Sequence, residues 1–147
     1  MKDLLVVICF GSILFGCTKD ENVLDCSTVL PPPNWFEISI DDPSGNQLIN
    51  NVFIQDSFVF YSILEQSYLK PLEFAGDPSY LMVAFPDVEE GVEYYIELST
   101  TDTDTIVFNY TEKINSCYSD YNLFEILYNG ESTLIAGDGR RYHLVKY

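Results

Sequence analysis

The chain has 147 residues, with 23 Asp plus Glu against 7 Lys plus Arg and a formal net charge of −16 at pH 7. A field of that sign repels phosphate backbones, which argues against a nucleic-acid partner, and it repels anionic membrane surfaces as well. The 11 Tyr and 10 Phe residues favour strands over helices, in a chain long enough for a single core.

Met1-Lys2-Asp3 is a short polar start, and Leu4 to Phe15 is almost wholly apolar, interrupted by Gly11 and Ser12. Twelve helical residues rise about 18 Å, too short for a hydrocarbon core of roughly 30 Å. The run therefore reads as the apolar core of a signal peptide. Leu14-Phe15-Gly16-Cys17 follows, and it resembles the bacterial lipoprotein signal, in which a small residue precedes an invariant cysteine. The resemblance implies that residues 1–16 are a signal peptide removed from the mature chain. Cys17 would then carry a diacylglyceryl group, with a further acyl chain of the palmitate type on the new amine. Several chains, at about 0.8 kcal/mol per buried CH₂, make a stable membrane anchor. Thr18-Lys19-Asp20-Glu21 resembles the export signal of Bacteroidota lipoproteins. That resemblance implies an outer-membrane protein facing the cell exterior, with Lys19, Asp20 and Glu21 as the signal; a periplasmic-facing anchor is the alternative. Lys2 and Asp3 cancel, so loss of the leader keeps the charge at −16.

Given a lipid on Cys17 and loss of Cys9 with the leader, Cys26 and Cys117 remain. In an oxidising compartment they are expected to form a disulfide. Closing so large a loop contributes roughly 4 to 5 kcal/mol in the chain-entropy model. Residues 17–34 then form a tether, charged at its start and stiffened by Pro31-Pro32-Pro33.

Residues 35–147 are the expected domain. In Trp35 to Ile40, Phe36, Ile38 and Ile40 alternate with Glu37 and Ser39, the period of a half-buried strand. Asp41 to Asn46 is dense turn chemistry. Gln47 to Ile49 and Val52 to Ile54 read as an irregular strand split by Asn50-Asn51. Ser57 to Leu64 is apolar on both faces, as in a central strand. Gln66-Ser67 is a turn into Tyr68 to Phe74, where Pro71 marks an edge. Tyr80 to Phe85 is a short strand, and Val92 to Leu98 alternates cleanly. Thr100 to Asp104 is a polar loop, Ile106 to Tyr110 a strand, and Thr111 to Asp120 a longer connection carrying Cys117. Tyr121 to Tyr128 ends in Asn129-Gly130, a two-residue hairpin signal. Thr133 to Ala136 returns beside it, Gly137-Asp138-Gly139 turns again, and Arg140 to Tyr147 is the last strand.

Some seven to nine short strands, turns every eight to twelve residues and no amphipathic helix predict an all-β antiparallel sandwich of immunoglobulin-like or transthyretin-like type. A closed barrel is the alternative. Asp42-Pro43-Ser44-Gly45-Asn46-Gln47-Leu48-Ile49 and the basic end Arg140 to Tyr147 resemble small, uncharacterised surface lipoproteins of Bacteroidota, Flavobacteria among them. Gly45 to Phe53 also resembles part of transthyretin-like and carboxypeptidase-regulatory domains, which are sandwiches without catalytic residues.

Asp41, Asp42, Ser44 and Asn46, and Asp102 with Asp104, offer oxygens for Ca²⁺. No stretch has the full EF-hand spacing, so these are read as turn residues and no metal or cofactor is expected. His143 is the sole histidine, so a Ser-His-Asp relay would have to use it; within a terminal strand it reads as structural. No phosphate loop, zinc spacing or nucleophile elbow occurs, and a non-enzymatic binding or structural module is expected, a small hydrolase being the remote alternative. Trp35, Tyr61, Tyr80, Tyr94, Tyr95 and Tyr128 are candidate ligand aromatics. Surface lipoproteins of the resembled group often capture glycans, which makes a glycan-binding accessory of polysaccharide uptake, or another surface protein's partner, the functional alternative. Asp104-Thr105-Ile106 resembles the Bacteroidota O-glycosylation motif, with Thr105 as acceptor.

Overall fold

The computed structural model describes residues 25–63, 65–69, 78–133 and 139–147. The leader and export motif, with Cys17, Lys19, Asp20 and Glu21, lie outside these residues, as do most of Tyr68 to Phe74 and most of the Gly137 to Gly139 turn. Among the described residues nine strands form. They are β1 (Trp35–Asp41), β2 (Phe58–Tyr61), β3 (Gln66–Leu69), β4 (Leu81–Ala84), β5 (Glu93–Ser99), β6 (Asp102–Ile114), β7 (Ser119–Tyr128), β8 (Glu131–Thr133) and β9 (Arg141–Val145).

They make two sheets, one of three strands in the order β4-β1-β9 and one of six in the order β3-β2-β5-β6-β7-β8. β1 runs parallel to β9 and antiparallel to β4, while the larger sheet is antiparallel throughout. The sheets pack face to face as a β-sandwich, as the alternation predicts. The inward residues Phe36, Ile38 and Ile40 of β1 meet Phe60 of β2, Tyr94 and Ile96 of β5, and Ile106 and Phe108 of β6 in one core. Phe36 ties the layers together, with ring centroids 4.9 Å from Phe85, 5.1 Å from Phe108 and 5.8 Å from Tyr142. Offset and edge contacts at these separations add to the burial of the rings.

Several elements depart from expectation. Glu37 and Ser39 alternate as read, yet both are buried, because neighbouring side chains cover the outer side of β1. Residues 47–54 are not a strand. The Leu48 carbonyl accepts the N–H groups of Asn51, Val52 and Phe53, and Asn50 sits at φ 61°, so the segment is a tight loop that inserts Ile49 into the core. β2 is buried on one face only, since Val59 and Tyr61 point outward. Gln66-Ser67 starts β3 rather than turning; the turn is earlier, closed by Ser62 N–H to Glu65 O at 2.7 Å. Asp102 to Asp104 belong to β6, not to a loop. The expected connection from Thr111 to Asp120 is the end of β6, a tight turn and the start of β7, with Asn115 N–H bonded to Tyr118 O at 2.8 Å. Exposed polar side chains hid these strand ends, because a hairpin arm reaching past the core needs no alternation. The Asn129-Gly130 turn forms as read, with φ of 51° and 81° at its two residues.

Candidate functional site

Cys26 and Cys117 are joined, 91 residues apart in sequence, with their Cα atoms 5.3 Å apart. Cys26 opens a short 3₁₀ turn capped by Asp25, whose carboxylate accepts the Ser27 N–H at 2.9 Å. Hydrogen bonds from Ser27 hold the exposed Asp25 carboxyl below the usual carboxylate range. Cys117 lies in the turn between β6 and β7. The disulfide therefore fastens the N-terminal segment at one end of β6, a strand of 13 residues.

The six candidate aromatics divide sharply. Tyr94 is buried, its ring stacked on Phe60 at 4.8 Å and its hydroxyl accepting the Glu89 N–H. Tyr128 is buried and donates to Asp104. Tyr80 is buried beside His143 and under the Arg141 guanidinium, 4.9 Å from its ring centroid. These three are core or covered residues, not a ligand platform. Trp35 is half-buried, with the Arg140 guanidinium 5.6 Å over its ring. The structure does bring Tyr61 and Tyr95 together. They face each other across β2 and β5 with ring centroids 5.3 Å apart, on the outer face of the larger sheet.

Alternation explains that face. Phe60 and Ile96 turn inward, so their strand neighbours Val59, Tyr61, Tyr95 and Glu97 turn outward. The register sets Val59 opposite Tyr68 and Glu97, which places Tyr68, 61% exposed, on the same face. Two hollows adjoin the tyrosine pair. One, of about 450 Å³, is lined by Val59, Tyr61, Ile63, Glu65, Gln66 and Glu97. The other, of about 310 Å³, is bounded by Ile63, Val92, Glu93 and Tyr95. Tyr95 donates to Glu93 at 2.7 Å, and that bond, with the nearby negative charge, pushes the exposed Tyr95 hydroxyl's pKa up. No cationic side chain among the described residues pairs with Glu65, Glu93 or Glu97.

The polar residues of the smaller sheet are organised differently. Glu37, buried, accepts from Arg141 Nε at 2.5 Å. His143 Nδ1 lies 2.8 Å from Ser39 Oγ and 3.0 Å from Asp41 Oδ2, while Nε2 is 3.4 Å from the Tyr80 hydroxyl. Nδ1 faces both Ser39 and Asp41, and Nε2 faces Tyr80. Serine and aspartate thus address the same ring nitrogen, whereas a nucleophilic relay needs them on opposite ones, and Ser39 is fully buried. Asp42 accepts from the N–H groups of Ser44 and Asn46 and from the Asn46 amide, so its oxygens serve their own turn. Those bonds, led by the Asn46 side chain, hold the exposed Asp42 carboxyl below its usual range.

Asp104, expected in a loop beside the acceptor Thr105, lies within β6. It is buried and accepts from Lys146 Nζ at 2.6 and 2.7 Å, from Asn129 Nδ2 at 3.0 Å and from Tyr128. Lys146 also reaches Asp102 at 2.9 Å. Burial pulls the Lys146 ammonium down, but the bonds to Asp104 and Asp102 outweigh it and the net shift is upward. Burial, then the Asp104 bond, pushes the Tyr128 hydroxyl far up. Thr105 stands inside β6, paired with Tyr95 on one side and bonded through its N–H to Asn129 Oδ1 on the other, not at a loop edge. The sequence carried no signal for this network, because Lys146 lies 42 residues from Asp104. No family model matches the chain, and neither a curated protein nor a solved structure shows significant similarity to it.

Proposed function

We propose that the protein is a non-enzymatic binding module, lipid-anchored through Cys17 in the outer membrane and facing the cell exterior, whose binding surface is the outer face of the larger sheet. The observation that carries this reading is the Tyr61–Tyr95 pair, stacked on that face between two hollows. The placement of the tether supports it. Thr105, opposite Tyr95, is nine residues along β6 from Ile114, next to the turn that holds Cys117. At roughly 3.3 Å per residue, the tyrosine pair sits about 30 Å along the strand from the point of attachment. A charge of −16 keeps such a domain off anionic surfaces.

Anchoring is tested by growing the natural host, or a lipoprotein-processing bacterium, with a clickable palmitate analogue. The chain is expected to take up label, and Cys17→Ser to abolish it; an unlabelled wild-type chain overturns the anchor. The binding face is tested on the whole protein, displayed on cells and probed with arrays of glycans and of peptides. Tyr95→Ala is expected to remove any ligand found, and a ligand whose binding ignores Tyr95 overturns the assignment of the face.

A further inference from the structure

The sheet face contains more than aromatics. Glu65, Glu93 and Glu97 stand around the tyrosine pair with no cationic partner among the described residues. Elsewhere Arg141 pairs with Glu37, Arg140 lies over Trp35 and Lys146 pairs with Asp104 and Asp102, while Lys113 is exposed near the far end of β6. Three like charges beside two electron-rich ring faces make a strongly negative local field, favourable to a guanidinium or ammonium and unfavourable to an anion. The second hollow is different in kind, since Ile63 is 95% exposed and, with Val92, supplies an apolar wall. Water at such a wall is displaced favourably by an apolar side chain.

Resting on the binding-face reading above, we propose that the occupant of this face is a basic polypeptide segment, whose Arg or Lys side chain lies against Tyr61, Tyr95 and Glu97 while a neighbouring apolar side chain fills the hollow at Ile63. Charge alone would equally suit a polyamine, but its short methylene runs lie between ammonium groups and offer no separate apolar side chain to the hollow. A neutral glycan brings no charge to oppose Glu65, Glu93 and Glu97. A polypeptide carries both groups at fixed spacing.

The test is fluorescence anisotropy of the whole protein in detergent with a labelled Gly-Arg-Leu-Gly-Arg-Leu-Gly peptide. Controls are the Glu-for-Arg version, spermidine and a neutral hexasaccharide. The basic peptide is expected to bind and to lose at least tenfold in affinity between 50 and 300 mM salt, as screening predicts. Glu97→Gln and Tyr95→Ala are each expected to weaken it about tenfold, whereas the distant Glu112→Gln leaves it unchanged. Circular dichroism of each variant confirms the fold. Binding of the hexasaccharide but not the peptide, lost in Tyr95→Ala, overturns this inference and keeps the binding face. Equal competition by spermidine overturns the polypeptide assignment. Peptide binding insensitive to both Glu97 and Tyr95, or no binding of any probe, overturns inference and face together.

Discussion

Removing the crosslink by Cys26→Ser with Cys117→Ser tests how the tether is joined to the domain. The unfolded chain with the disulfide carries a closed loop spanning 91 residues, for which chain entropy alone gives about 4.6 kcal/mol. The folded state changes that figure. Residues 25–30 are exposed, and the Val29 N–H bonds locally to the Cys26 carbonyl. Among the described residues, the first long-range main-chain bond along the N-terminal segment is Phe85 N–H to Asn34 O. Without the disulfide, the stretch from Cys26 to Asn34 is released in the native state as well. The bond therefore closes a loop of eight residues in the fold against 91 in the unfolded chain. The difference, 1.5RT times the logarithm of that ratio, is about 2 kcal/mol. For a domain of this size that is about 8 °C in Tm. Urea denaturation of the oxidised and double-serine proteins measures it directly. A loss above 4 kcal/mol would show that the segment is held by its own contacts and would refute the argument. No loss would show that the crosslink does not constrain the unfolded chain.

Lys146→Met leaves Asp104 buried without its cation and should cost about 3 kcal/mol in urea denaturation, while the exposed Lys113→Met changes stability by less than about 0.5 kcal/mol. Tyr128 and Lys146 both hold their protons more tightly when folded. Above about pH 10 the unfolded chain releases them first, so the native state binds more protons and stability falls as pH rises. The urea midpoint is expected to be flat from pH 8 to 9.5 and to drop beyond about 10, less steeply in Tyr128→Phe; a midpoint unchanged to pH 11 contradicts the assignment. Gly130→Ala places a Cβ at φ 81° in the β7–β8 turn and should cost about 1 kcal/mol by the same assay, with no effect from Ser132→Ala of comparable size.

Period-two alternation alone was enough to place β5, where Tyr94, Ile96 and Leu98 turn inward, and to set the start of β1. Asn129-Gly130 specified its own turn, because few residue pairs tolerate two successive positive φ angles. Setting aside Cys9 and Cys17, on the expectation of a leader and a lipid, left Cys26 and Cys117, which the fold joins. These are local properties, or counting properties, of the chain. Alternation separates two faces of a strand, but it does not say which face a second layer will cover. Tyr94 and Tyr128 therefore looked equivalent to Tyr61 and Tyr95 until the smaller sheet closed over one side, and Tyr80 until Arg141 and His143 covered it. Asp102 and Asp104 looked like turn residues, since nothing nearby in sequence neutralises them; only the return of β9 brings Lys146 to them. Ser39, Asp41 and His143 likewise meet only because β1 and β9 run parallel in one register. What required the tertiary structure was in each case a long-range pairing, whose partner the local sequence does not name, and on those pairings rests the distinction between a buried tyrosine and one offered to a ligand.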